Sequence, residues 1–400
     1  MLKNLEQEII KIAQRFAEQT GVPADVIRVV VSPYRICPIG AHSDHQGGPV
    51  LGMAISAYTL LAFAPAPNMD LTLTSANYPG EVRMNLKESS TIAAMGWSRY
   101  AHSAAQAFAE EIGETPRALI GHVTGSLPDG GLSSSASVIL AYLAALAEVN
   151  AVEFEPRRLV QLALHAEKDF VGVRVGILDP ATIIAARRDH LVAIDTRKTQ
   201  WELLPCGASQ KSYRFLIVFS GITRNLIATN FNSRIEECAS AARQLATLSS
   251  LSNVIGLHDL PETVFETYGD QLSPAEARRA RHFFGERVRV TRGRSLWTQG
   301  DLETFGRLMH ESCESSIHNW EAGAPELIAI QTVLSQTPGV FGSRFSGAGW
   351  GGCCLALVDG DQAASIQRVV EKQLARLPGL DAARVFLVSS EDGLRVVSAS

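Results

Sequence analysis

Residues 32–48 read SPYRICPIGAHSDHQGG, where His42, Asp44 and His45 crowd between Gly40 and the Gly47–Gly48 pair, with Arg35 just upstream. A polar set this dense does not belong in an apolar core. Two imidazoles beside a carboxylate could hold a zinc ion, but no second His/Cys/Asp set with ligand spacing accompanies them. Hydrogen bonding to a polyol suits them better, with Asp44 accepting from vicinal hydroxyls while the imidazoles donate or accept. Ala41, between Gly40 and His42, brings only a methyl group.

PDGGLSSSAS, residues 128–137, offers a second chemistry. Gly130 and Gly131 let backbone approach a ligand without Cβ clashes. The loop feeds the N-terminus of a strongly apolar helix, where unpaired N–H groups and the helix dipole favour an anion. Ser133, Ser134, Ser135 and Ser137 add hydroxyls for phosphate oxygens or for Mg2+. A turn with a serine N-cap needs one serine; three in a row after two glycines exceed that, so phosphate binding is expected. The loop is not a Walker A sequence, because the GxxxxGK[ST] lysine is missing.

VGVRVGILDPATII sets Asp179 among Val175, Gly176, Ile177 and Leu178. Asp179 followed by Pro180 reads as an N-cap with proline in the first helical turn. A carboxylate in so apolar a setting also needs a partner, and a base with a raised pKa is one use of such a place. Glu167, beside Lys168 and Asp169 on the preceding helix, reads on sequence alone as part of a solvated face. In RFSGAGWGGCCLALV, Gly347, Gly349, Gly351 and Gly352 precede a strand. That loop must lie close to another backbone or to a ligand, and a bulged hairpin and a binding loop fit it equally well.

Periodicity predicts the elements that position these groups. Leu5, Ile9, Ile12 and Phe16 recur at helical spacing, an amphipathic helix rather than a signal or transit peptide. VIRVVVSPYR predicts a buried strand ending at a proline-marked turn. The stretch from Pro49 to Asn68 carries no charge and approaches transmembrane length. Its Gly52, Ser56, Thr59, Pro65 and Pro67 favour two buried strands over a membrane span. LTLTSA and ALIGHVTG predict further strands, and GWSRYAHSAAQAFAEEIG a helix stopped by Gly113. VILAYLAALAEV and PRRLVQLALHAEKDF predict two more helices, and LVAIDTR a strand that closes the first half. The pattern restarts at the strand RFLIVFSG and continues through helices in RIEECASAARQLATL, PAEARRARHFFGER and ETFGRLMHES. The helix IQRVVEKQLARL and the strand ARVFLVSS end it.

A length of 400 residues exceeds one typical core, so two domains are expected, 1–204 and 205–400. Lys plus Arg is 36 against 41 for Asp plus Glu, a net charge of −5 that argues against broad nucleic-acid binding. The cysteines Cys37, Cys206, Cys238, Cys313, Cys353 and Cys354 form no CxxC pair, a pattern that fits a reducing compartment such as the cytoplasm.

Taken in order, these segments resemble the GHMP kinase superfamily, and within it the galactokinase-like sugar 1-kinases. YRICPIGAHSDHQGG is similar to the galactokinase motif GRVNLIGEHTDYNGG, and PDGGLSSSAS to the phosphate loop PxGxGLSSSAS. GVRVGILDP is similar to GVxCGIMDQ, SGAGWGGC to SGAGFGGC, and PELIAIQTVLSQTPGVFGSR to the stretch before that last motif. The likeness runs from about residue 26 to about residue 360.

The resemblance implies an α+β, two-domain GHMP kinase fold with the active site between the domains. Its N-terminal domain would be ribosomal protein S5 domain 2-like and its C-terminal domain ferredoxin-like. ATP and Mg2+ are the implied cofactors. Asp179 falls on the catalytic aspartate near the sugar C1 hydroxyl, and Arg35 on the arginine that stabilises the ionised pair and the developing charge. Ser135 and Glu167 fall on Mg2+ ligands. Gly130, Gly131, Leu132, Ser133, Ser134, Ser135, Ala136 and Ser137 fall on the loop that embraces the ATP phosphates. His42, Asp44 and Gly176 fall on sugar-contacting positions.

The departures narrow the substrate. Ala41 stands where galactokinases carry a Glu that holds the C6 hydroxyl. Phe231 replaces a Tyr of the sugar site, His45 the Tyr after the motif Asp, and Pro180 the Gln after the catalytic Asp. Loss of the Glu removes a charge that would repel a C6 carboxylate; two unit charges ~4 Å apart cost about 4 kcal/mol at an effective dielectric near 20. GAHSDHQGG is accordingly similar to the galacturonokinase branch, with Arg174 or His45 as candidate donors to the carboxylate. The reaction so implied is ATP-dependent phosphorylation of the C1 hydroxyl of D-galacturonate, with the sugar acid and ATP as small-molecule partners. A galactokinase or arabinokinase of altered preference is the competing enzyme. A non-catalytic sugar and ATP sensor is a third possibility, opposed by the intact SSSAS, Arg35 and Asp179.

Overall fold

The charge-free run after Gly47–Gly48 becomes the spine of the larger of two sheets. The computed structural model describes residues 4–87, 96–128, 130–172, 176–208, 212–222 and 231–399. In chain order it begins with helix α1 (Leu5–Thr20) and strands β1 (Arg28–Ile39), β2 (Val50–Pro65), β3 (Asp70–Ser75) and β4 (Glu81–Asn85). Helix α2 (Ser98–Ile112), strand β5 (Leu119–Gly125) and helices α3 (Ser134–Val149), α4 (Pro156–His165) and α5 (Leu178–Ala185) follow. Strands β6 (His190–Asp195), β7 (Gln200–Pro205) and β8 (Tyr213–Phe219) lead to helices α6 (Phe231–Leu248), α7 (Glu262–Tyr268) and α8 (Pro274–Gln299). Next come α9 (Leu302–His318), α10 (Pro325–Gln336), β9 (Val340–Ser346) and β10 (Cys353–Asp359). Helix α11 (Ala363–Leu374) and strands β11 (Arg384–Val388) and β12 (Arg395–Ser398) end the chain.

Among the described residues the first sheet has the order β12-β1-β2-β5-β3-β4, with β6 paired to β2 and β7 to β6. Its central strands are covered on both faces. Val30, Leu61 and Phe63 pack towards α2 and α3, while Val29, Val31, Leu60, Ala62 and Ala64 pack towards α1. Alternate residues of one strand therefore meet two different cores, so β2 needs apolar side chains at both phases. That is why its sequence approaches membrane-span hydrophobicity; no helix among the described residues is long and apolar enough to cross a membrane.

Two sequence expectations change here. The Pro49–Asn68 stretch is one 16-residue strand rather than two. It serves two neighbours along the same course, since Val50–Gly52 pair with β6 and Thr59–Pro65 with β5. Strand β1 does not end at its proline but runs on to Ile39, and a register shift between Pro33 and Tyr34 absorbs the missing N–H. Its extension carries Arg35. Gly113, in left-handed conformation, does stop α2 as expected.

The second sheet, β11-β8-β10-β9, carries α10 and α11 on one side. On the other side Phe215, Ile217, Leu355 and Leu357 join a core shared with Ile36, Ile39, Leu51 and Met53 of the first sheet. The chain end then returns to the first sheet: β12 pairs with β1, and Ser56 and Ser389 exchange hydrogen bonds at 2.9 and 3.0 Å.

Helix α9 lies almost against β9. A Cβ on Gly342 would stand 1.8 Å from the carbonyl oxygen of Gly306, so neither position admits a side chain. This approach delivers Ser312 of α9 to Arg344 of β9. Gly342→Ala is expected to push the helix off the strand and cost about 3 kcal/mol, measured as a lower urea midpoint with unchanged m-value.

Candidate active site

Arg35, Asp179 and Ser133 meet where β1, α5 and α3 converge. Arg35 Nε donates to Asp179 Oδ1 at 2.6 Å, and its side chain is 6% exposed against 19% for Asp179. Arg35 also reaches the serine loop, donating from Nη1 to Gly131 O at 3.1 Å and from its backbone N–H to Leu132 O at 3.2 Å. The Ser133 hydroxyl donates to Asp179 Oδ2. Asp179 is not the N-cap that Asp-Pro suggested: α5 starts at Leu178, Ile177 takes the cap position, and the carboxylate turns to Arg35 and Ser133.

The two glycine-rich loops pack backbone on backbone. A Cβ on Gly130 would come within 2.9 Å of Gly352 Cα, and one on Gly347 within 2.9 Å of Gly131 Cα. Ser346 Oγ donates to Gly131 O at 2.5 Å and closes the contact. The alternatives left open for SGAGWGG thus resolve into a β9–β10 hairpin whose tip holds another backbone. Ser134 and Ser135 remain partly exposed on the loop, whereas Leu132 and Ala136 are buried and present backbone only. The Ser137 hydroxyl does not face the loop's open side as expected. It is fully buried and bonded into the sheet, donating to Ser32 O and lying 2.9 Å from the Thr59 hydroxyl.

Glu167 is not on a solvated face. Helix α4 widens into a π-helical turn over Ala166–Val171, a form frequent at functional sites, and this turn buries Glu167 to 3% exposure. Ser135 hydrogen-bonds it, yet Oε2 has no partner among the described residues. Burial, then the neighbouring Asp179, push the carboxyl up to about 8.

The GAHSDHQGG turn is held from below by residues that no local motif announces. Glu286 of α8, fully buried, accepts from Gly40 N–H at 2.6 Å, Ser312 Oγ at 2.9 Å and Arg289 Nε at 2.7 Å. Burial would raise its pKa, but Arg289, His282 and Arg344 outweigh that and hold it below the ordinary value. One turn back on α8, His282 Nε2 donates to Ala41 O at 3.0 Å. Arg344 donates to Ser312, whose hydroxyl in turn reaches Glu286. Helical i, i+4 spacing of His282 and Glu286 was the available signal; Trp320 and Arg344 had none.

Above this support, the His42 ring stacks on buried Trp320 at 4.9 Å with 7° between planes, and His45 meets the same indole edge-on at 5.2 Å. His42 Nε2 is buried with no partner among the described residues. Burial, then His282 and Arg344, keep His42 far below the usual imidazole value; burial, then His282, take His45 down to about 3. Asp44 projects against Gly176, where a Cβ would overlap Oδ2 at 1.7 Å, so that glycine makes the carboxylate's room. Burial, then Asp179, raise Asp44 to about 6. The Ala41 methyl joins an apolar group with Ile177, Leu178 and Ala181. Helix α6 begins at Phe231, whose side chain lies outside the described residues, as does Arg174.

Residues 99–187 match the GHMP kinases N terminal domain, residues 294–376 the GHMP kinases C terminal domain, and residues 14–65 the galactokinase galactose-binding signature. The chain is 37% identical over 389 residues to the galacturonokinase of Arabidopsis thaliana, covering 92% of each chain. It belongs to the GHMP kinase family. The galactokinase of Streptococcus suis is 30% identical over 393 residues, 97% of this chain and 98% of that one. Lactococcus lactis galactokinase complexed with galactose superposes with a TM-score of 0.86 at 26% identity, covering 96% of this chain and 98% of that one. The mevalonate kinase of Methanococcus jannaschii shares the fold, with a TM-score of 0.67 at 17% identity over 92% of this chain and 100% of that one. The two-domain GHMP kinase fold implied by the motifs is therefore the fold present. In this GHMP kinase, Glu286→Ala would strip the acceptor from Gly40, Ser312 and Arg289 at once. The expected cost is about 3–5 kcal/mol in a denaturant melt, because a buried cation loses its partner.

Proposed function

We propose that this sugar kinase transfers the γ-phosphoryl group of ATP to the C1 hydroxyl of D-galacturonate, in the cytoplasm. Ala41 carries the proposal. Where galactokinases place a Glu, this chain has a methyl, and no carboxylate stands at that position to repel one on C6. The 37% identity to a galacturonokinase supports the same substrate. His45 is a neutral donor here rather than a counter-charge, since burial keeps it unprotonated near neutral pH.

In this mechanism His42 and Asp44 hold the sugar ring, His42 through its unpartnered Nε2. Asp179 orients the C1 hydroxyl and takes its proton. The C1 oxygen bonds to the γ-phosphorus as the bond from that phosphorus to the β,γ-bridging oxygen breaks, releasing ADP. Arg35, paired with Asp179 at 2.6 Å, holds the carboxylate in place and faces the developing charge. Residues 1–204 would supply these groups and the serine loop from Gly130, and residues 205–400 the SGAGWGG hairpin that braces it.

Ser135 and Glu167 fit a Mg2+ ion. A buried carboxylate with one unpartnered oxygen and a raised pKa lacks a cation, and a hydroxyl already bonds to it. No group of three or more His, Cys, Asp or Glu forms a ready metal cage among the described residues, which suits an ion that arrives with nucleotide phosphates. When bound, the ion neutralises charge on the phosphates.

A panel of galacturonate, glucuronate, galactose and arabinose with ATP tests the proposal, and galacturonate is expected to give the highest kcat/KM. Turnover of galactose far above galacturonate would overturn the specificity in favour of a galactokinase, the alternative that the galactose-binding signature over residues 14–65 favours. Ala41→Glu is expected to lower kcat/KM for galacturonate by up to roughly a thousandfold and to raise that for galactose. An unchanged preference in a variant of unchanged Tm would mean that charge at C6 does not decide it.

Asp44 adds a pH dependence. Its folded value of about 6 means that it becomes protonated, and loses acceptor capacity, as pH falls through about 6. The sugar KM is therefore expected to rise below pH 6 at saturating ATP, and Asp44→Asn to raise KM at every pH and flatten that profile.

A further inference from the structure

We propose that Ser133 is a positioning residue through which bound nucleotide frees Asp179 for the sugar. This rests on the reading above, in which Asp179 meets the C1 hydroxyl and the serine loop meets the ATP phosphates.

Ser133 occupies the N-cap position of α3, yet its hydroxyl makes no capping bond. It donates to Asp179 Oδ2 instead, while Arg35 Nε holds Oδ1. The other loop hydroxyls are differently engaged: Ser135 bonds to Glu167, and Ser137 to Ser32 and Thr59. Ser133 is also left-handed, with φ +59°, a conformation uncommon for a residue with a side chain. Such a conformation persists only where its surroundings over-determine it. Here the surroundings are Arg35 again, bonded to the carbonyls of Gly131 and Leu132 immediately before it.

Both oxygens of Asp179 are thus occupied, and its side chain is only 19% exposed. A carboxylate oxygen can accept two bonds, but a C1 hydroxyl that approaches Oδ2 from the serine-loop side competes with Ser133 for the lone pair on that side. A phosphate at the N-terminus of α3 offers the Ser133 hydroxyl a charged acceptor, and charge-assisted bonds of this kind are strong. When the hydroxyl turns to the phosphate, Oδ2 is released. Sugar and nucleotide then bind with positive coupling, and by linkage each tightens the other by the same factor.

The test measures the sugar dissociation constant with and without a non-hydrolysable ATP analogue and Mg2+, using the sugar that the panel shows to be turned over. Wild type, Ser133→Gly and Ser133→Ala are compared. Glycine accepts the left-handed backbone, so the first variant keeps the loop shape without the hydroxyl; alanine removes the hydroxyl but keeps the Cβ. The analogue is expected to tighten sugar binding about fivefold or more in wild type. In both variants the ratio should fall to within about twofold of unity, with kcat reduced less than the coupling. Coupling retained in either variant, or absent from wild type, overturns the proposal. If Ser133 alone is misassigned, wild type and variants still turn over sugar with equal coupling. If the panel shows turnover of none of the sugars, the kinase reading fails and this proposal with it.

Discussion

The Arg35 guanidinium ties its own strand to two stretches of chain 96 and 144 residues further on, and the geometry of the site depends on that tie. It is one cation among three carboxylates, paired with Asp179 and felt by Asp44 and Glu167. An ion pair this buried contributes little net stability, because desolvation offsets most of the Coulomb gain. Its value is positional. The same side chain fixes the direction of Asp179 and, through Gly131, the height of the serine loop. Any change that moves one moves the other.

Arg35 can hold that place because β1 is a central strand. The extension beyond Pro33 stays paired to β2, and the core shared by the two sheets packs against Ile36 and Ile39. Past Ile39 the chain leaves the sheet, and order there comes from polar contacts instead. Gly40 hangs on Glu286, Ala41 on His282, and Gln46 O on His258 at 2.5 Å. Helix α8 therefore does for the GAHSDHQGG turn what Arg35 does for the serine loop. It supplies fixed charges and dipoles in a dry setting, where reorganisation is small.

This division explains what was legible in the sequence. The serine loop, the glycine hairpin and GAHSDHQGG are contiguous, so residue type and spacing alone suggested polyol and phosphate contacts. Asp179 stood out by its apolar neighbours; the family resemblance added Arg35 and placed Asp179 at the sugar C1 hydroxyl. The supporting shell was not legible. Glu286 lies 246 residues from Gly40, and in PAEARRARHFFGER it looks like one more charge on a helix surface. Arg344 precedes a glycine loop that drew attention to itself. Ser133 and Asp179 both resembled caps, since sequence shows which residues can cap a helix but not whether a stronger partner waits across the fold. Glu167 misled for a related reason: its charged neighbours suggested solvent, and only the π-helical turn rotates it inward. The single long β2 was missed because Gly52 and the polar Ser56 and Thr59 inside it resemble a break, while tertiary pairing with two successive neighbours overrides them.

The charge state of the turn bears most directly on the proposed substrate. His42, His45 and His282 surround Trp320, and burial keeps all three below the usual imidazole value. They can donate and accept hydrogen bonds, but at neutral pH they bring no positive charge. A Glu at position 41 would add a negative charge beside Asp44 and close to neutral rings, with no cation on that turn to offset it. Such a site suits a hydroxyl at C6 and opposes a carboxylate there. With Ala41 the turn carries Asp44 alone, and Asp44 faces Gly176 and Asp179. In the proposed reading the methyl lessens the repulsion met by a C6 carboxylate without adding an attractive contact. Discrimination of this kind works by removing a repulsion, and it requires the remaining polar groups to stay where α8 holds them.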